Sequence, residues 1–427
     1  MLSVRLEPGQ NLDRSLAAAS SALKSFTKRA EEAGFSRVVS YPSPEALVAA
    51  TLVFSYLNRL GLTASVSISP RPPVRVDDPT ILLGFNSLNY NNENDKDVLL
   101  ALGGSIVEPP PLNATYVSVD GSLGASTAMI IRATGEGALS PEYKVLALAS
   151  SYASKYVDKM GKFSGLDKIY ADTLVDDETV SLYMVTYVKS YRPHVLGLCD
   201  SLSITLDPLF QSLIGPRQSC VKVIEASGLS KLAEKKASEA SEDEVSAIAK
   251  AVLMAIRDKL RRQYEVVDFV GGIYVASEKL IITDPREALG LLELSLDLGG
   301  LGLAAALVLS YEEEYPQAVA SLPLVAERLS GLLEDSKLMD RGTFSGVKVY
   351  SVKSDFAPPL YLLWRALKLV GAVQGEQLLL TYEDDRGLRA SMLQASEALG
   401  ASGLLRLVSQ EDVEYEGPFI WIPKKSA

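Results

Sequence analysis

Histidine occurs once in this 427-residue chain, as His194, and cysteine twice, as Cys199 and Cys220. That supply limits the chemistry. Ser-His-Asp hydrolysis would have to run through His194, and no Gly-x-Ser-x-Gly elbow accompanies it. Two thiols and one imidazole do not complete a four-ligand zinc site of the usual kind. His194 follows Arg192-Pro193, where a turn is expected. A hydrogen-bonded structural or surface histidine is the expected role, with general acid-base work as the alternative. The two cysteines can pair, but free buried thiols are the expected state for a cytosolic chain.

Other residues with chemical potential are sparse. Asp176-Asp-Glu178 and Glu312-Glu-Glu314 are short acidic runs, a pattern more typical of solvated loops and helix starts than of cation sites. Gly299-Gly-Leu-Gly302 and Gly271-Gly272 match no phosphate loop and lack a Lys-Ser/Thr partner. Arg257, Lys259, Arg261 and Arg262 form one basic cluster. It suits the last turn of a helix, where cations complement the macrodipole, with a weak nucleic-acid contact as the alternative. The overall balance, 42 basic against 53 acidic residues for a net charge of −11, argues against a protein that grips duplex DNA by neutralising many phosphates. With 47% apolar and 22% charged residues, the chain has enough core for two domains. Met1 leads into Leu-Ser-Val-Arg rather than an export signal, and the apolar window Gly299 to Leu309 is shorter than the ~20 residues of a membrane span. A soluble cytoplasmic protein without a membrane span or a cofactor is expected.

The elements that must position these residues follow from periodicity. Asn11 to Gly34 has helical spacing, with Leu16, Leu23 and Phe26 as its apolar stripe and Gly34 as its stop. Ser36 to Tyr41 reads as a strand, and Pro42-Ser-Pro-Glu45 opens a helix that runs to about Leu60. Further strands are expected at Thr63 to Ser69, Thr80 to Phe85, Asp97 to Leu102 and Tyr116 to Val119. Continuously apolar strands alternating with helices imply a parallel sheet covered on both faces. Helical patterns run from Ser140 to about Leu213, apart from the turn at Arg192. Ser241-Glu-Asp-Glu244 is a capping box, and Val245, Ile248, Val252, Ile256 and Leu260 continue it as an amphipathic helix to about Gln263. The second half offers strands at Val266 to Ala276, Leu303 to Ser310, Val347 to Val352, Gln377 to Tyr382 and Gly387 to Leu393. Its helices lie around Pro285 to Leu298, Gln317 to Leu333 and Pro358 to Val370. The expected organisation is an N-terminal domain over 1–227, a helical linker over 228–265 and a smaller α/β domain over 266–427.

One local pattern carries a family resemblance. Val38-Val-Ser-Tyr-Pro-Ser-Pro-Glu-Ala-Leu-Val-Ala-Ala50 is similar to the strand, His-x-Asp-x-Asp-Gly and helix of the DHH phosphoesterase superfamily. Val145-Leu-Ala-Leu-Ala-Ser-Ser-Tyr-Ala-Ser154 resembles the helix before that family's last metal ligand. Asp207-Pro208 resembles the segment that closes its first domain, and Asp284 to Gly300 an early part of its DHHA domain. The order of elements resembles the archaeal RecJ-like branch, which includes GINS-associated nucleases and the Cdc subunit of the replicative CMG helicase. The resemblance implies an α/β architecture with a DHH-type parallel sheet and a smaller DHHA-type domain.

Active members of that superfamily use two divalent cations, usually manganese, held by carboxylates and histidines. The corresponding positions here are stripped. Tyr41, Ser43, Glu45 and Ala46 stand where histidine, two aspartates and glycine are expected. Gly84 replaces an aspartate, Leu102-Gly103-Gly104 replaces Asp-His-His, and Ser154 replaces the fourth ligand. Glu45 alone keeps a carboxylate, and it suits the first turn of a helix. Gly400-Ala-Ser-Gly403 replaces a C-terminal Gly-Gly-Gly-His and reads as a helix stop. No metal and no catalytic residue are therefore expected. The resemblance implies a silent archaeal replisome scaffold that binds GINS, the MCM ring through GINS, and single-stranded DNA. An active nuclease with relocated ligands and a non-replicative nucleic-acid-binding module in repair or RNA turnover are the alternatives.

Overall fold

Strand β1 (Leu2–Leu6) and helix α1 (Leu12–Ala33) open the chain, and Gly34 ends α1 in the left-handed conformation at φ 73°. On α1 the residues Ala19, Leu23, Phe26 and Ala30 are buried, the helical spacing that keeps one stripe against a sheet. Next come β2 (Ser36–Ser40), α2 (Pro44–Arg59), β3 (Ala64–Ile68), β4 (Thr80–Leu83), β5 (Leu99–Gly103) and β6 (Ala114–Val119). Helices α3 (Leu123–Thr134), α4 (Pro141–Ala153) and α5 (Gly165–Val175) follow. Proline at the first turn, behind a serine cap, starts both α2 and α4. This computed structural model describes residues 2–73, 76–85, 99–103, 114–136, 138–210, 213, 215–257, 264–335, 338–373 and 377–424.

The six strands form one parallel sheet in the order β1-β6-β5-β4-β2-β3. From β2 the chain crosses to β3 on one side, and from β4 it steps to β5 on the other. The carboxyl ends of β2 and β4 are therefore the topological switch point, where open α/β sheets form their crevice. Strand β4 is buried along its whole length, Thr80–Leu83, as a sheet covered on both faces requires.

The chain divides into two compact units, Met1–Asp158 with Phe163–Leu182, and Lys159–Lys162 with Tyr183–Ala427. The second unit begins with β7 (Tyr183–Val188), α6 (Leu198–Ser203), α7 (Arg217–Ala226), α8 (Glu242–Arg257), α9 (Val266–Phe269) and β8 (Val270–Val275). It continues through α10 (Pro285–Leu309), α11 (Tyr311–Asp335), β9 (Leu338–Phe344), β10 (Val347–Val352) and α12 (Leu360–Val370). It ends with β11 (Leu378–Glu383), β12 (Leu388–Ser391), α13 (Met392–Leu407), β13 (Glu414–Glu416) and β14 (Phe419–Ile422). Strands β7 and β8 pair antiparallel, and the rest form a mixed sheet, β13-β14-β12-β11-β10-β9, in which β10 and β11 run parallel. Residues 183–227 and the amphipathic helix α8 thus lie inside the second unit. The capping box at Ser241 forms as expected, with Glu244 N–H donating to Ser241 Oγ at 3.3 Å and Ser241 N–H to Glu244 Oε2 at 2.8 Å.

Four expectations need correction. Leu303 to Ser310 is not a strand but the end of α10, because its Leu-Ala-Ala-Ala run favours helix and only Val308 is β-branched. The helical stretch expected from Ser140 to Leu213 is interrupted by β7, which is held by pairing with the distant β8. Cys199 and Cys220 are not free; they form a disulfide between α6 and α7, both fully buried, with Cα atoms 5.4 Å apart. His194 is neither on the surface nor hydrogen-bonded: it is 2% exposed, and neither ring nitrogen has a partner among the described residues. Burial lowers its pKa and so favours the neutral imidazole. Gly400, at φ 67° and ψ 177°, breaks α13, which resumes beyond it. Helix α10 is long and apolar enough to cross a membrane, but 61% of its most apolar window is buried in the unit's own core.

Candidate functional site

Of the positions singled out from the sequence, Tyr41, Ala46, Gly84, Leu102 and Gly103 come together at the switch point. Tyr41 follows β2, and its N–H donates to Leu83 O at 2.8 Å, while Gly84 N–H donates to Leu102 O at 2.9 Å. These bonds lock the ends of β2, β4 and β5 side by side. Tyr41 packs edge-on to Phe85, with ring centroids 5.8 Å apart, over a buried cluster of Val39, Val76, Leu82, Phe85, Ala101 and Tyr116. Burial pushes the Tyr116 hydroxyl up to about 12. Among the described residues, aromatic and aliphatic groups pack together at these strand ends.

Position 84 is closed sterically. Gly84 has φ +81°, and a Cβ built there would lie 2.8 Å from the Ala46 methyl and 3.3 Å from Tyr41 Cβ. The first atom of any side chain would collide before a carboxylate could form. The resemblance expects glycine at 46 and aspartate at 84; the residues here are alanine and glycine. Gly103 is tight too, with Phe85 O 3.0 Å and the Tyr116 hydroxyl 3.2 Å from its would-be Cβ. Gly104 lies outside the described residues.

The remaining positions serve helix ends. Ser43 caps α2, accepting from Ala46 N–H at 3.3 Å. Glu45, in the first turn of α2, turns its Oε2 toward Leu123 N–H at the start of α3, 3.4 Å away. Desolvation raises its pKa to about 7, helped by Asp167 and opposed by the Leu123 contact and by Lys155. Ser154 ends α4, donating to Ser151 O at 2.8 Å and accepting from Tyr156 N–H at 3.1 Å.

A polar network beside these residues escaped the sequence reading. Asp167 on α5 is fully buried and accepts from Ser122 N–H at 2.8 Å and from the Ser151 hydroxyl. Ser150 donates to Ser122 Oγ at 2.8 Å and accepts from Gly124 N–H at 2.9 Å. Tyr156 donates to Asp120 Oδ1 at 2.9 Å, and desolvation together with that carboxylate raises its pKa. The signal was present in the serines at 150 and 151 on an otherwise apolar helix, which need partners once buried. The network ties α3, α4 and α5 together through neutral hydroxyls and backbone N–H groups. Among the described residues, no three of His, Cys, Asp or Glu are grouped to hold a metal ion. The two-cation chemistry of the resembled superfamily does not fit these side chains.

No family model matches the sequence, and no curated protein sequence matches it. Solved structures do. Cdc45 from Entamoeba histolytica superposes over 98% of this chain and 96% of its own, with a TM-score of 0.57 at 10% identity. The fold is that of Cdc45. RecJ from Thermus thermophilus in complex with Mn2+ gives a TM-score of 0.34 at 13% identity, over 95% of this chain and 51% of that one. An exonuclease RecJ bound to manganese gives 0.35 at 13% identity, over 95% and 89%.

The second unit of this Cdc45-like fold concentrates its buried charge on α10. Arg192 Nε donates to Glu287 Oε1 at 2.9 Å, and the Tyr315 hydroxyl donates to the same oxygen at 2.9 Å. Arg365 Nη1 meets both oxygens of Glu293 at 2.9 and 3.1 Å, and Nη2 pairs with Asp207. Asp297 accepts from Tyr361 N–H at 2.6 Å. Burial raises the pKa of all three acids. Each of these groups has a partner, although Glu287 Oε2 is buried without one and Asp207 is partly exposed. Of the expected basic cluster, Arg257 ends α8 in an exposed position, and Lys259, Arg261 and Arg262 lie outside the described residues.

Proposed function

We propose that this chain is a catalytically silent scaffold of an archaeal replisome, working in the cytoplasm, that binds GINS directly and the MCM helicase through GINS. Single-stranded DNA is a weak further ligand, held with strong salt dependence by Arg257, Lys259, Arg261 and Arg262. The observation that carries the silent reading is the Ala46 methyl group, 2.8 Å from where a Cβ on residue 84 would lie. The Cdc45 fold supports the replisome part of the reading by analogy of fold.

Two experiments test it. Pure protein should cleave neither single-stranded DNA nor RNA with manganese, magnesium or zinc. Cleavage that co-elutes with the chain and is lost on mutating one of its carboxylates would reject the silent reading. Mixed with the GINS of its own organism at micromolar concentration, the chain should elute as one complex in size-exclusion chromatography. Two separate peaks would reject the replisome reading while leaving the fold untouched.

A further inference from the structure

The second half of α10 presents a face that nothing in its unit covers. Ala304, Leu307 and Val308 are buried, whereas Gly302, Leu303, Ala305 and Leu309 are exposed and Ala306 is half-exposed. At about 100° per residue, Gly302, Ala305, Ala306 and Leu309 share one side of the helix and Leu303 flanks it. No polar residue interrupts the patch over these two turns. Leu303 is 44% and Leu309 38% exposed, and a Cβ built on Gly302 would meet nothing within 4 Å. The backbone there is bare enough for another helix to approach closely.

The end of this patch is charged in one sense only. After the turn at Ser310, Glu312, Glu313 and Glu314 open α11, and none has an ion-pair partner among the described residues. Acids in a first turn complement the helix dipole, which accounts for their place but not for the uncovered leucines beside them. We infer that this face docks a short amphipathic helix of a partner protein, its apolar side on Leu303 and Leu309 and its lysines or arginines on Glu312 to Glu314. The length fits that occupant: Gly302 to Leu309 spans only about 11 Å, two turns of helix rather than a domain interface. The charge selects it too, because a second copy of a chain carrying −11, or an anionic membrane, would meet the glutamates with like charge. This assignment does not depend on the replisome reading and survives if GINS fails to bind.

The test uses the full chain and a synthetic peptide long enough for about four helical turns, with leucines at helical spacing and lysines elsewhere, followed by fluorescence anisotropy. Saturable binding is expected. The double substitution Leu303→Ser and Leu309→Ser should weaken it about tenfold or more, since such anchors carry most of the affinity of a helix in a groove. Replacing Glu312, Glu313 and Glu314 by glutamine should remove most of its salt dependence. Leu324→Ser, at an exposed leucine on α11, should change nothing. The inference is overturned if the leucine pair is without effect, or if a peptide with glutamate in place of lysine binds equally well. It is also overturned if the chain sediments as a dimer that the leucine substitutions dissolve.

Discussion

The carboxyl ends of β2 and β4 and the buried length of α10 answer the same problem in opposite ways. At the switch point, where an α/β sheet ordinarily gathers its polar ligands, the chain has packed Ala46 against Gly84 and laid Tyr41, Phe85 and Tyr116 around them. Along α10, a helix otherwise apolar enough to span a membrane, it has buried Glu287, Glu293 and Asp297 and matched each with a donor. Buried carboxylates therefore say little about chemistry in this molecule. In the second unit they fasten elements together, as Asp167 does in the first, where the space for a side chain is closed at Gly84. A buried charge that is fully engaged specifies one packing, whereas one left open is available for a ligand.

The comparison breaks most easily at Arg365, whose guanidinium meets both Glu293 and Asp207. Arg365→Ala leaves Glu293 buried without its cation and is expected to cost about 3–5 kcal/mol in urea denaturation. Replacing the pair by Glu293→Leu with Arg365→Met should cost clearly less than the single change. If both cost the same, the pair is not the fastening it is taken to be. The disulfide comes next, as the covalent fastening of the same unit. Exchanging both Cys199 and Cys220 for alanine opens a loop with a sequence separation of 21, and should lower stability by about 3 kcal/mol. A melting temperature that does not move would show that α6 and α7 are held by packing alone.

The first unit sharpens the comparison from the other side. Gly84→Asp places a side chain against the Ala46 methyl and strains a positive φ, with an expected cost of about 1–3 kcal/mol. Ala46→Gly made together with it should recover part of that cost, because it removes the colliding atom. Contacting residues coupled in this way are non-additive by about 0.5 kcal/mol or more. Strict additivity in thermal denaturation would mean that position 84 is closed by its backbone and not by Ala46.

Much of this was legible in the chain. The run from Val38 to Ala50 gave a strand, a capped turn and a helix in the right register, because Pro44 and Ser43 restrict the backbone locally. Tyr41 and Gly84 were placed at strand ends for the same reason, since apolar runs mark those ends clearly. What was not legible depends on distant partners. β7 exists by pairing with β8, far away in sequence, and local pattern carries no trace of such a pairing. The disulfide needs two helices brought together, and the run Leu303 to Ser310 is apolar in a way that suits a buried strand or a helix equally. Asp167 was passed over because its role comes from Ser122 and Ser151, contributed by α3's cap and α4.

The smallest expected effect concerns Glu45, in the first turn of α2 at the switch point. Desolvation raises its pKa from 4.5 to about 7, with Asp167 adding to the rise and the Leu123 N–H and Lys155 opposing it. Between those two values the folded protein keeps a proton that the unfolded chain releases. Stability from this group is therefore greatest below about pH 4.5, falls as pH rises toward 7 by at most about 1.4 kcal/mol per unit, and stays low above that. Glu45→Gln keeps an acceptor for Leu123 and removes the titration. Glu287, Glu293 and Asp297 are raised in the same direction, but they are common to both proteins and cancel when the two are compared. The difference in unfolding free energy should be near zero at pH 4.5 and favour the variant by about 1 kcal/mol at pH 7, a reduced figure because Glu45 is only half-buried. A difference that does not change with pH would show that Glu45 titrates as an ordinary exposed acid, and that the switch point is open to water after all.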